Sequence, residues 1–77
     1  MAQRKGWQRI RGGTAGVWRH ESGWQVHHCG HPTALWPYYG VPPGGGPMLL
    51  AANGHGFSRL VLAQEACELQ ARSSPQQ

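Results

Sequence analysis

Thr14-Ala15-Gly16-Val17-Trp18-Arg19-His20-Glu21-Ser22-Gly23-Trp24-Gln25-Val26-His27-His28-Cys29 is the stretch whose reading decides the fold. Residues 14–20 and 23–29 alternate between apolar and polar side chains, the two-residue period of a half-buried strand. Glu21-Ser22-Gly23 between them has the length and the glycine of a three-residue hairpin loop. Placing His20 opposite Trp24 puts Trp18 opposite Val26, and all four then share one face. Arg19, Gln25, His27 and Cys29 fall on the other. A hairpin with an indole-rich side and a polar side needs something to cover the first, and the second faces water or a partner.

Upstream, residues 1–13 carry Arg4, Lys5, Arg9 and Arg11, four of the seven basic residues, with no acid among them. Such a block reads as a flexible basic arm, anchored at most through Trp7 and Ile10. Downstream, Pro32 and Pro37 push His31 and Trp36 toward extended geometry and end the strand in a stiff, irregular aromatic corner that includes Leu35, Trp36, Tyr38 and Tyr39. Residues 40–47 (GVPPGGGP) form a connector. They lack the GK[ST] pattern and the following helix that a phosphate cradle requires. Met48-Leu49-Leu50-Ala51-Ala52 reads as a third strand that turns at Asn53-Gly54.

From Ser58, a good N-cap, the period changes. Leu62, Ala66 and Leu69 recur at helical intervals with Ala63 and Cys67 beside them, while Gln64, Glu65, Glu68 and Arg72 fall largely on the opposite side. Ser73-Ser74-Pro75 stops this helix, and residues 73–77 form a disordered tail. The expectation is an α+β unit over residues 14–72: a small antiparallel sheet of about three strands with one C-terminal helix across its Trp-bearing face.

Seventy-seven residues make one small domain, for which four tryptophans or a homodimer sharing aromatic surface would enlarge a modest core. No apolar run approaches a membrane span, and the N-terminal residues lack the charged-then-apolar pattern of a secretory signal. A reducing, cytoplasmic setting is therefore expected, with Cys29 and Cys67 as free thiols. The net charge of +4 fits nucleic acid or an acidic protein surface as partner.

The best metal constellation is His27, Cys29 and His31, with His55 or Cys67 as a fourth ligand for zinc. Its outer members would be about 13 Å apart in an extended strand, so the set closes only if the chain bends at Gly30, and paired CxxC or HxxxH spacing is lacking. No cofactor is expected on that ground. Cys29 as a nucleophile would need a histidine within hydrogen-bond reach and an orienting third group, and the chain has no Asp and three Glu away from it. Binding therefore ranks above catalysis. A nucleic-acid module would use the basic arm for phosphates and the rings for stacking.

The order Trp24, then His28-Cys29-Gly30-His31-Pro32-Thr33-Ala34-Leu35-Trp36-Pro37-Tyr38-Tyr39, then Asn53-Gly54-His55-Gly56-Phe57 leading into an Ala-rich helix resembles a group of small proteins encoded by phages and mobile elements of proteobacteria. The resemblance covers about residues 14–70; small proteins of such origin and shape include anti-CRISPR inhibitors, and the chain looks like one that would block a type I effector (surveillance) complex. It implies stoichiometric protein binding in a bacterial host cell. Many such inhibitors are acidic and imitate DNA. This chain is basic, which turns the expectation toward an acidic protein patch or steric occlusion. The interface expected on this reading is built on Trp36, Tyr38 and Tyr39 with Arg4, Lys5, Arg9, Arg11 and Arg19, in keeping with the enrichment of Trp, Tyr and Arg at binding hot spots.

Overall fold

The computed structural model describes residues 5–13 and 15–73. Strands β1 (Trp7–Arg11), β2 (Val17–His20), β3 (Gln25–His28) and β4 (Tyr38–Val41) form one antiparallel sheet in chain order, followed by helix α1 (Leu60–Ser73). The α+β expectation holds, with four strands in place of about three.

The central hairpin has the expected register, with Trp18 opposite Val26 and Arg19 opposite Gln25. His20 and Trp24 close the loop, the His20 N–H donating to the Trp24 carbonyl at 2.7 Å, and Gly23 takes φ +101°. A side chain at that backbone angle is strained, so the loop depends on glycine there.

Two strands come from segments expected to be irregular. Trp7–Arg11 was expected within a flexible arm and is instead an edge strand paired with β2. Its charges belong to an edge that must not recruit another chain, where like-charged strands are common. Arg4 lies outside the described residues, as do the tail residues from Ser74 on. Tyr38 and Tyr39, expected in the aromatic corner, and Gly40 and Val41, expected in the connector, together form a strand set between Pro37 and Pro42. The irregular corner is confined to the connection before it, where the Cys29 N–H bonds the Pro37 carbonyl.

The 48–52 run is not a full strand. Leu49 bridges Gly40, Phe57 bridges Tyr38, and the chain between them loops out from the edge of β4. The loop turns at Asn53-Gly54 as expected: Gly54 has φ +82°, and Asn53 Oδ1 accepts the His55 N–H at 2.7 Å. Gly56 has no room for a side chain, because a Cβ there would land on the carbonyl oxygens of Trp36 and Tyr38.

The core contains Trp7, Trp18, Val26, Ala63 and Cys67, with Trp24, Tyr38, Leu49, Phe57 and Leu60 packed around them. The helix is turned from the expected orientation. Ala63, Gln64 and Cys67 are buried, whereas Leu62 and Leu69 are 42 % and 55 % exposed. The sheet supplies much of the volume through its indoles, and the helix meets it with the small side chains of Ala63 and Cys67, Gln64 being the large member of its buried set. At Gly40 an added Cβ would sit 2.7 Å from Cys67 Sγ, a distance that marks how closely helix and sheet approach. The helix begins one residue later than a Ser58 cap implies: the Ala63 N–H donates to the Arg59 carbonyl, and the first helical residue is Leu60.

Gln64 is fully buried, and neither its Nε2 nor its Oε1 has a hydrogen-bond partner. An unsatisfied buried amide costs on the order of 1 to 3 kcal/mol. Gln64→Leu, similar in volume, should therefore raise the unfolding free energy in urea by about 1 to 2 kcal/mol. Unchanged or lowered stability would show that the amide is hydrated or bonded.

Candidate nucleic-acid interface

Because α1 covers one side of the sheet, the alternate residues of every strand are left on the other. Gln8 pairs with Arg19, Arg19 with Gln25, and Gln25 with Val41, which sets these four side chains in one row across the sheet. Arg11, Val17, His27 and Tyr39 form the next row by the same pairings.

A bulge in β1 brings Arg11 to this face. Arg9 is opposite Trp18 and Arg11 is opposite Val17, so Ile10 is an extra residue. Without it, Arg9 and Arg11 would share a face, as residues two apart in a strand do. With it, the two arginines part. Arg9 lies over the Trp18 ring at 5.0 Å and donates from Nε to the Arg11 carbonyl and from Nη2 to that of Gly13. It braces the β1–β2 connection, while Arg11 joins Ile10, Val17, Gln25 and His27 around a shallow hollow of about 260 Å³.

A larger open cleft, about 700 Å³, lies over the first row. Gln8, Arg19, Gln25 and Val41 are in its floor, the 42–45 loop rims one side, and Glu21 lies on the rim opposite. Neither row contains an acid.

His27 joins the two rows. Its Nε2 is 2.8 Å from Gln25 Oε1, and since that oxygen only accepts, Nε2 carries the hydrogen. The ring stacks on Tyr39 with centroids 5.6 Å apart and planes 27° from parallel. Burial, and then the positive charge of Arg11, hold the His27 pKa below its ordinary value.

The residues expected to bind a partner through their rings are not brought together. Tyr38 turns to the core side, edge-on to Trp18 and His28. Tyr39 is on the open face, and Trp36 stacks on His55 at 4.8 Å beyond the start of β4. Adjacent strand residues point to opposite faces, which divides the Tyr pair. Of the expected basic residues, Arg11 and Arg19 are on the open face, Arg9 is engaged as described, Lys5 precedes β1, and Arg4 lies outside the described residues.

The metal candidates also separate. His27 bonds Gln25, Cys29 Sγ accepts the His31 N–H at 3.4 Å, and His31 Nδ1 is 3.1 Å from Thr33 Oγ1. Among the described residues, no three His, Cys, Asp or Glu side chains converge to hold an ion. Cys29 is exposed and Cys67 buried, both free, and burial together with the Glu68 charge pushes the Cys67 thiol up to about 12. Among the described residues, no helix is long and apolar enough to cross a membrane.

The hairpin pattern already marked Arg19, Gln25 and His27 as one polar face. It did not reach Gln8 and Ile10, whose place depends on β1 being a strand; Arg11 and Tyr39 were expected at an interface by residue type, but their place on this face depends on β1 and β4. Comparison with protein-family models, with curated proteins and with solved structures finds no match for the chain.

The lowered His27 pKa gives a pH dependence with a definite sign. The ring is neutral in both folded and unfolded chains well above 6.5, so stability there is complete. Below 6.5 the unfolded chain takes up the proton first, and stability is lost as the pH falls through the lower folded value. His27→Gln should lose less stability than the parent between about pH 7.5 and pH 5 in urea titrations. Equal losses in the two proteins would contradict this assignment.

Proposed function

We propose that the protein acts by binding, without transforming its ligand, and that the ligand is a nucleic acid held against the open face of the sheet. The observation that carries this reading is the acid-free pair of rows in which Arg19 is flanked by Gln8 and Gln25 and Arg11 lies beside His27 and Tyr39. Phosphates supply most of the affinity of such contacts, and arginines supply the matching charge. The thiol of Cys29 and the ring of His31 each have a different neighbour, which supports binding over nucleophilic chemistry. Action in the bacterial cytoplasm belongs to the same proposal.

A second reading is favoured by one observation, the exposure of Leu62 and Leu69 on the outer side of α1 together with Trp36 at 43 %. Apolar side chains on a helix face suit a protein partner. On this reading the protein is a phage or mobile-element inhibitor, an anti-CRISPR docked on a type I surveillance complex, or it pairs with a second copy of itself through the helix.

Fluorescence anisotropy with labelled oligonucleotides over a salt series tests the first reading. Binding should weaken steeply with salt. Arg11→Gln with Arg19→Gln should weaken it roughly tenfold or more and reduce the salt slope by at least about 1, while Leu62→Ser with Leu69→Ser should leave it unchanged. No binding at about 50 mM salt, or binding lost only in the leucine pair, would overturn the nucleic-acid reading in favour of the protein-docking one.

A further inference from the structure

Resting on the nucleic-acid reading, we infer that the ligand is duplex DNA and that Gln8, Arg19 and Gln25 read base edges in its major groove, with Arg19 on guanine. The first ground is the kind of side chain in the row. A solvated positive face needs only charge, yet here the one arginine stands between two glutamines on neighbouring strands. Arginine pairs with guanine O6 and N7, and glutamine with adenine N6 and N7, each through two hydrogen bonds.

Spacing is the second ground. Adjacent strands are about 4.8 Å apart, so β1 to β3 span about 10 Å, within a major groove about 12 Å wide. Side chains two apart on one strand, such as Val17 and Arg19, are about 6.7 Å apart, close to two base-pair rises of 3.4 Å each. β1 to β3 can thus follow the groove, with β4, one strand spacing further on, over its edge.

The third ground is preorganisation. Gln25 Oε1 is held by the His27 Nε2–H, and His27 is in turn stacked on Tyr39. With Oε1 so engaged, the amide of Gln25, which lines the open cleft, has its NH2 left to donate to acceptors of a purine edge. With Arg19 also a donor, the centre of the row is donor-rich and matches guanine, whose major-groove edge carries acceptors.

Competing forms of nucleic acid fit less well. Single-strand binders stack successive bases on several rings, and the single ring of the strand rows other than histidine is Tyr39, already paired with His27. The major groove of duplex RNA is too deep and narrow for a sheet. The rims indicate the path of the backbone. Glu21, whose carboxylate lies against Gly6, repels phosphate from the Lys5 end of β1, so the phosphates pass the other end of that strand, where Arg11 is placed.

The test is competition anisotropy followed by selection from a randomised duplex library, using the full chain. A DNA duplex should bind roughly tenfold or more tightly than either of its single strands or the matching RNA duplex. Selected sequences should be enriched in guanine at one position. Arg19→Gln should erase that preference, whereas Arg11→Gln should weaken all sequences alike. Gln8→Ala, on the edge strand, provides a second reader variant that leaves the sheet interior untouched, and it should relax a neighbouring position. Salt-dependent binding in which single strands compete equally, or in which no base is enriched, would overturn this inference and leave the nucleic-acid reading standing. Absence of any nucleic-acid binding would overturn both.

Discussion

The close approach of Cys67 to Gly40 determines what the rest of the chain can do. A helix can lie that near a sheet only where the strand residue beneath has no side chain and the helix residue is small. Gly40 and the Ala63–Cys67 side of the helix meet both conditions. The contact selects the face of the sheet that is covered, and because strand residues alternate, it selects the face that is left open. The indoles of Trp7 and Trp18 fill the remaining space beneath the helix, and the Trp7 Nε1–H is taken by Glu68 Oε2 at 2.7 Å. An acid of the helix is thereby used inside the fold, on the side away from the basic rows.

Polarity then follows strand by strand. Trp18 and Val26 point inward and Arg19, Gln25 and His27 outward, with two exceptions: Val17 is in the open-face row between Arg11 and His27, and Arg9 shares the face of Trp18. The extra residue at Ile10 assigns Arg9 to the closure of the β1–β2 connection and Arg11 to the open face. One inserted residue therefore divides structural from surface charge. The same logic explains why the ring-bearing stretch after Pro37 is not one surface: Tyr38 completes the core, and Tyr39 supports His27 on the other side.

The sequence made the central hairpin legible down to its register, since the two-residue period and the glycine of the loop agree and a slip would bury Arg19. The existence of the helix was legible for a similar reason, because its period is long. Its orientation was not. Leu62 and Leu69 suggest an inward face, and only knowledge of the sheet, already filled by tryptophans and closely approached at Gly40, shows why Ala63 and Cys67 face inward instead. β1 was hidden because a charged edge strand has the composition of a solvated arm. β4 was hidden by the prolines at both ends, which bound the strand here instead of breaking it. Of the candidate site, Arg19, Gln25 and His27 followed from the hairpin alone. Gln8 and Arg11 required a partner strand and a bulge that no local pattern announces.

The central claim is that one face of the sheet is given to folding and the other to a nucleic-acid ligand. Backbone amide chemical shifts, followed by NMR as a short DNA duplex is added at low salt, test it residue by residue. The account predicts that shifts concentrate in β1, β2 and β3 and in the loops that rim the cleft, while the amides of α1 stay in place. Shifts running along Leu62 to Leu69 with the strands silent would contradict it.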